Sequence, residues 1–301
     1  MTTMREYFNL LRPKQWIKNF FVFAPLIFAK ELFEPGPLLT TFKAFCAFCL
    51  TASSVYIIND AADIDADRAH PDKRHRPLAA GTVPATHAFV IVGVLLAAAA
   101  AIVSGMNLPY AIIVSSYFII NLAYSFKLKE VVLLDVFVIA TGFILRVLGG
   151  AYAINVHVST WIVLCTLFIS LFLGFAKRRS EILLAQRHGV NSDRKVLLSY
   201  RVDFLDQMLT IAAAGTVISY ALYTVAPRTL EVFGTDKMIY TTVFVLYGVF
   251  RYLYLMHVTK STENPTSALT TDLAIIGTGV LWILTCIVLI YFRDTFSFLT
   301  R

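Results

Sequence analysis

Three aspartates, Asp60, Asp63 and Asp67, stand at spacing i, i+3, i+7 in Tyr56-Ile-Ile-Asn59-Asp60-Ala-Ala-Asp63-Ile-Asp65-Ala-Asp67-Arg68. On a helix, at about 100° per residue, they fall within about 60° of one another, and Asp65 points roughly the opposite way. Carboxylates gathered on one face repel, so the arrangement is costly unless something cationic compensates. Hard oxygen donors suit Mg²⁺, which typically takes one or two carboxylates and completes its shell with substrate phosphates. The competing reading is a solvated helix end whose acids pair with Arg68, Lys73, Arg74 and Arg76. The next residues read His70-Pro-Asp-Lys73-Arg74-His75-Arg76-Pro-Leu-Ala-Ala-Gly81. Acids for a metal followed by bases for phosphate oxygens are what a diphosphate substrate requires. A loop enriched in cations on the inner side of a membrane explains the bases but not the adjacent acids. His70 and His75 read as solvated loop residues rather than ligands.

A second basic run, Phe175-Ala-Lys177-Arg178-Arg179-Ser-Glu181, follows a later apolar stretch. Lys177 and Glu181 share a helix face at i, i+4. Tyr124, Lys127 and Lys129 close another apolar run, where the lysines either snorkel to the interface or meet phosphate. Arg146 lies inside an apolar run among Gly142, Gly149 and Gly150; a charge there is expensive and is expected to face the protein interior. Trp16 reads as an interfacial anchor, Asp203 and Asp206 as solvated acids, and Glu263-Asn-Pro265-Thr266 as a turn without chemistry.

The elements that must position these residues are membrane helices. The 301-residue chain is 58% hydrophobic and 15% charged, where a soluble domain carries roughly 25% charged residues. An ordinary soluble enzyme and a disordered chain are both excluded. Nine apolar segments, at about 16–33, 40–59, 86–104, 109–126, 132–153, 158–175, 208–226, 238–258 and 272–292, approach the roughly 20 residues needed to cross a bilayer. Their runs lack the alternation of barrel strands, so an all-α polytopic membrane protein forming a single domain over 1–301 is expected. With the N-terminus inside, 18 Lys and Arg fall on the inner side and 5 on the outer, which predicts N-in and C-out. The net charge of +7 therefore reads as positive-inside loops rather than a nucleic-acid surface. The four cysteines, Cys46, Cys49, Cys165 and Cys286, lie in apolar stretches and read as small hydrophobes.

The run NDAADIDADRAHPDKRHRPLAAG resembles the first aspartate-rich motif, NDxxDxxxD, of the UbiA superfamily of intramembrane prenyltransferases. The resemblance implies nine transmembrane helices around a central cavity, with Mg²⁺ and a diphosphate at the cytoplasmic side of a bacterial cell membrane. It makes Asp60, Asp63 and Asp67 the catalytic metal ligands. Typical members carry a second motif, DxxxD, after the sixth helix. Here that place holds Lys177 and Glu181, which weakens a second metal site and adds charge suited to another phosphate. In this the chain is similar to a branch that transfers phosphoribose from phosphoribosyl pyrophosphate to a polyprenyl phosphate, giving a precursor of lipid-linked arabinose. The matching pieces include Arg12-Pro-Lys-Gln-Trp16-Ile-Lys18-Asn19, Leu122-Ala-Tyr124-Ser-Phe-Lys127-Leu-Lys129, Gly142-Phe-Ile-Leu-Arg146 and LGFAKRRSE at 173–181. On this resemblance the substrate-binding residues are Lys14, Lys18, Asn19, Asn59, Lys73, Arg74, Arg76, Tyr124, Lys127, Lys129, Arg146, Lys177, Arg178 and Glu181. The partners are phosphoribosyl pyrophosphate, a polyprenyl phosphate and the membrane, with a second copy of the chain left open. Transfer of a prenyl group to an aromatic acceptor is the alternative chemistry. A transporter is the alternative class, but the ionisable groups cluster at the inner face rather than at mid-span.

Overall fold

The computed structural model describes residues 4–69, 73–188, 195–259 and 271–292; His70 and the Glu263–Thr266 turn lie outside them. Among the described residues the regular elements are helical, with no β-strand. In chain order they are α1 (Met4–Leu10), a 3₁₀ entry segment (Pro13–Phe23), α2 (Ala24–Phe28), α3 (Pro35–Ala62), α4 (Ile64–Ala69), α5 (Ala85–Ser104), α6 (Leu108–Phe126) and α7 (Leu134–Ala153). They continue with α8 (Thr160–His188), α9 (Val202–Val225), α10 (Pro227–Phe233), α11 (Thr242–Tyr254) and α12 (Leu273–Tyr291). A 3₁₀ turn, Lys237–Thr241, leads into α11, and a π-helical turn, Leu255–Thr259, follows it.

Eight of these stretches are long and apolar enough to cross a membrane. They match the last eight of the nine apolar segments. The first, 16–33, is not one long helix: it is the C-terminal part of the entry segment followed by the five-residue α2. Pro13 opens the entry segment, and Pro25 lies in the first turn of α2.

The chain divides into two compact units, one of residues 1–26, 31–157 and 193–196, the other of 27–30, 158–192 and 197–301. Each holds four of the long helices: α3, α5, α6 and α7 in the first; α8, α9, the stretch Lys237–Val258 and α12 in the second. In the first unit α3 packs against α5, α6 and the entry segment, and α7 packs against α6 and the same segment. One core of this unit joins Val22, Ala47, Phe48, Tyr110, Ile113 and Tyr117; another joins Leu10, Ile57, Leu78, Val83 and Val92. In the second unit α8 packs along α9 and α11 against α12, around Tyr220, Tyr223, Phe233, Met238 and Cys286. Both units leave large apolar side chains exposed along their long helices, such as Phe89, Val90 and Val94 on α5 and Val280, Leu281 and Leu284 on α12. Among the long stretches this is the surface expected to face lipid rather than water.

Candidate active site

The first unit fastens its acids with three basic side chains from three other stretches. Helix α3 ends at Ala62, Asp63 breaks it, and α4 resumes at Ile64. The backbone bonds Asp63 N to Asn59 O (3.0 Å) and Asp67 N to Asp63 O (2.8 Å) carry the turn across that break. Asp60 and Asp67 are buried, whereas the Asp65 side chain is 98% exposed and only grazes Arg68 at 3.5 Å.

Arg12 donates through two guanidinium nitrogens, Nε and Nη2, to the two oxygens of Asp60, with Nε at 3.0 Å from Oδ2. Its guanidinium also lies 5.5 Å from the centre of the Tyr56 ring. Arg76 Nη1 bridges two acids, 3.1 Å from Asp60 Oδ1 and 2.6 Å from Asp67 Oδ2. Lys129 Nζ donates to Asp63 Oδ1 at 2.6 Å, and Asn59 Nδ2 donates to the other oxygen of that carboxylate at 3.1 Å. The acids thus sort into a pair, Asp60 and Asp67, sharing one guanidinium, and a neighbour, Asp63, held by a lysine. Among the described residues no three acid, histidine or cysteine side chains gather closely enough to enclose a metal ion. Two hard carboxylates completed by phosphate oxygens still fit Mg²⁺, which is commonly held in that way. Arg12 is the partner of the acids that residue types and spacing missed. It stands 48 residues before Asp60, and its signal was its place at the head of the RPKQWIKN run.

The entry segment is what carries Arg12 to Asp60. Its side chains run antiparallel along one face of α3: Arg12 to Asp60, Trp16 Nε1 to Ser53 Oγ at 3.0 Å, Asn19 Nδ2 to Cys49 Sγ at 3.2 Å. Ser53 Oγ in turn donates to Leu11 O at 2.8 Å. Half-buried Trp16 is therefore held against α3 by a hydrogen bond. The two spacings agree in length. Seven residues of 3₁₀ helix rise about 14 Å, and the eleven α-helical residues from Cys49 to Asp60 rise about 16 Å. Beyond Asn19 the segment meets α7, where Gly150 lets the backbone of Val22 approach. A Cβ on Gly150 would sit 2.0 Å from Val22 O.

Arg146, 4% exposed, lies at this deep end. Its Nε donates to Asn19 Oδ1 at 2.6 Å, Nη1 to Gly142 O at 2.8 Å and Nη2 to Tyr117 OH at 2.8 Å. Asn19, read from sequence as lying on the phosphate side, is wholly buried between Arg146 and Cys49. Lys14, Arg74 and Lys127 are exposed, and Lys18, Lys73 and Tyr124 are half-buried.

The second unit has its own charged cluster, around the KRRSE run of α8. Arg178, 1% exposed, donates to Glu181 Oε2 at 2.7 Å, and half-exposed Lys177 lies 3.9 Å from Oε1 of the same carboxylate. Arg179 turns to α9, where its Nε meets Asp206 Oδ1 at 2.6 Å, and His257 of the π turn approaches that oxygen at 3.4 Å. Asp206 is thus part of a network rather than a freely solvated acid; Asp203 remains exposed beside Arg201. Arg251 is paired with Asp272, the N-cap of α12, whose Oδ1 also accepts from Ile275 N at 2.9 Å. The Arg251 guanidinium holds the Asp272 carboxyl below the usual carboxylate range.

An all-α polytopic membrane protein whose first unit ends in an acid-and-guanidinium cluster is the class that fold and site define. The chain belongs to the UbiA prenyltransferase family, whose model matches residues 20–271. It is 41% identical over 217 residues to the decaprenyl-phosphate phosphoribosyltransferase of Mycolicibacterium smegmatis, covering 71% of this chain and 68% of that one. To the decaprenyl-phosphate phosphoribosyltransferase of Corynebacterium glutamicum it is 38% identical, covering 71% and 65%. The chain therefore spans about two thirds of the length of these relatives. Its fold is similar to that of a UbiA homolog from Archaeoglobus fulgidus bound to DMAPP and Mg²⁺, with TM-score 0.71, 19% identity and coverage of 95% and 99%.

Proposed function

We propose that this chain transfers 5-phosphoribose from phosphoribosyl pyrophosphate to a long polyprenyl phosphate, such as decaprenyl phosphate, releasing pyrophosphate. The observation that carries this reading is a contrast between the two charged clusters. The first holds acids interlocked with Arg12, Arg76 and Lys129. The second is basic, with Lys177, Arg178 and a single Glu181, where prenyl-transferring members resemble one another in a second acidic motif. A basic run in place of a second acidic motif suits a donor that carries a further phosphate besides its diphosphate. The named relatives point to the same chemistry.

Asp60 and Asp67, with Asp63 beside them, would hold Mg²⁺, which when bound neutralises charge on the departing pyrophosphate. Arg12 and Arg76 already sit among these acids, and their forked donors match the oxygens of a diphosphate. As the ribose C1–O bond breaks, its electron pair leaves with pyrophosphate and C1 gains oxocarbenium character. Donors fixed in place before that charge develops stabilise it most effectively. An oxygen of the lipid phosphate forms the new bond to C1. That oxygen is already anionic, so no side chain need act as a strong base. Lys127 in the first unit, and Lys177 and Arg178 in the second, are each assigned to a phosphate, either the 5-phosphate or the lipid phosphate. The reaction is placed at the cytoplasmic face of a bacterial cell membrane, where the Lys and Arg of the inner loops collect.

The test is purified protein in nanodiscs with labelled phosphoribosyl pyrophosphate, Mg²⁺ and decaprenyl phosphate. Label is expected in the organic phase with Mg²⁺ and not with a chelator. Transfer of a prenyl group from a prenyl diphosphate to an aromatic acid, with no phosphoribosyl transfer, would overturn the reading in favour of the aromatic alternative.

A further inference from the structure

Arg146 is a buried guanidinium in α7 with no carboxylate partner among the described residues. A charge kept in a membrane helix at such cost needs a reason in geometry or function. Its hydrogen bonds give the geometry. Nη1 folds back on the carbonyl of Gly142 at 2.8 Å. Nη2 holds Tyr117 OH of α6, and the guanidinium carbon lies 4.7 Å from the centre of that ring. Nε is left for Asn19. The Asn19 amide has one orientation that satisfies both its partners, its oxygen toward Arg146 and its nitrogen toward Cys49 Sγ. Asn19 is the lowest tooth of the zipper whose highest tooth is Arg12 on Asp60. Sliding the segment by one residue would displace Arg12 by about 2 Å along α3, enough to break both of its bonds to the carboxylate.

We infer that Arg146 is a positioning residue: by holding Asn19 it sets the register of the entry segment on α3, and so aims Arg12 at Asp60 and at the diphosphate bound there. The inference rests on the proposed function for the identity of the diphosphate, but not for the register itself. Arg146 touches no substrate in this account. Asn19 likewise leaves the set of phosphate ligands and becomes the link through which Arg146 acts.

Arg146→Met, Asn19→Ala and the double variant separate this from a merely structural role. Each single variant is expected to raise the KM for phosphoribosyl pyrophosphate and the half-saturating Mg²⁺ concentration by about tenfold, with kcat lowered by no more than about threefold. The double variant is expected to be no worse than the poorer single one, because both break the same link. Arg146→Lys keeps the charge but loses the fork, which guards against a folding defect; an intermediate KM is expected. Affinity for Mg²⁺–pyrophosphate, measured calorimetrically on the same proteins, reads the register without turnover. If the wild-type protein binds Mg²⁺–pyrophosphate and the variants weaken that binding together, the inference stands even where no phosphoribose is transferred, and only the proposed function falls. Multiplicative losses in the double variant, wild-type KM in Arg146→Lys, or a lower melting temperature with unchanged KM and pyrophosphate affinity would each overturn it.

Discussion

Among the described residues of the first unit, Asp60 carries the densest charge pairing: two guanidiniums on one buried carboxylate. Burying an ion costs several kcal/mol unless partners compensate, and here Arg12 and Arg76 do so. Removing the charge while keeping the shape should therefore damage function more than size alone would suggest. In Asp60→Asn the two arginines lose their shared anionic partner, and turnover is expected to fall by at least about tenfold, or about 1.4 kcal/mol of barrier. Asp65→Asn, five residues on and almost wholly solvated, is expected to leave turnover within about twofold of wild type. Equal losses at the two positions in single-turnover assays would remove Asp60 from the site. These acids were legible in the sequence because their type and spacing are one-dimensional facts. Their partners were not: Lys129 lies 66 residues from Asp63, and a pairing at that distance follows from how α3 and α6 pack, not from any local pattern.

At the scale of the element, eight of the nine apolar runs were readable because about 20 apolar residues in a row leave the backbone few options in lipid. The entry segment was not readable as 3₁₀, since an apolar run looks alike in either helix. What decides its form is tertiary: the Trp16, Asn19 and Val22 side of the segment must meet α3 and α7 at once. The break at Asp63 escaped for a related reason, since the 3.6-residue spacing continues through it while the helix does not. Two glycines in long helices test this packing. Gly150→Ala would drive a methyl group into the Val22 carbonyl, where backbone and not a flexible side chain must give way. Overpacking of this kind costs about 1–3 kcal/mol. Gly93→Ala on α5 meets nothing within 4 Å, so the same change should leave stability unaltered or slightly raised, as alanine favours a helix over glycine. Thermal unfolding of both variants in one detergent checks the contrast; equal melting temperatures would mean that the close approach at Gly150 carries no strain.

Across the whole molecule, the question the helices raise is which way they cross. Eight long stretches alone would return the chain to the side on which it started, yet the entry segment and α2 also have reach. Eleven residues of 3₁₀ helix rise about 22 Å, and five of α-helix add about 7.5 Å. Laid end to end they match the roughly 30 Å hydrocarbon thickness with fewer residues than an ordinary span. The zipper gives this segment a direction, for it runs antiparallel to α3 with Arg12 level with Asp60. With that reach the segment is expected to make a ninth crossing. Nine crossings would leave Arg12 and Asp60 on one side of the membrane and are expected to bring the stretch between α10 and α11 to the other. The Lys and Arg bias predicts that the first of these sides faces the cytoplasm. The four native cysteines are buried or half-buried, so they should all be replaced by alanine or serine before a reporter is introduced. In that background, cysteine at exposed His75 or at exposed Asp236 reports on one side each. In intact cells a membrane-impermeant maleimide is expected to label Asp236→Cys and to spare His75→Cys until the membrane is opened. Labelling of His75→Cys alone would invert the orientation, and labelling of both in intact cells would mean that the entry segment and α2 do not cross.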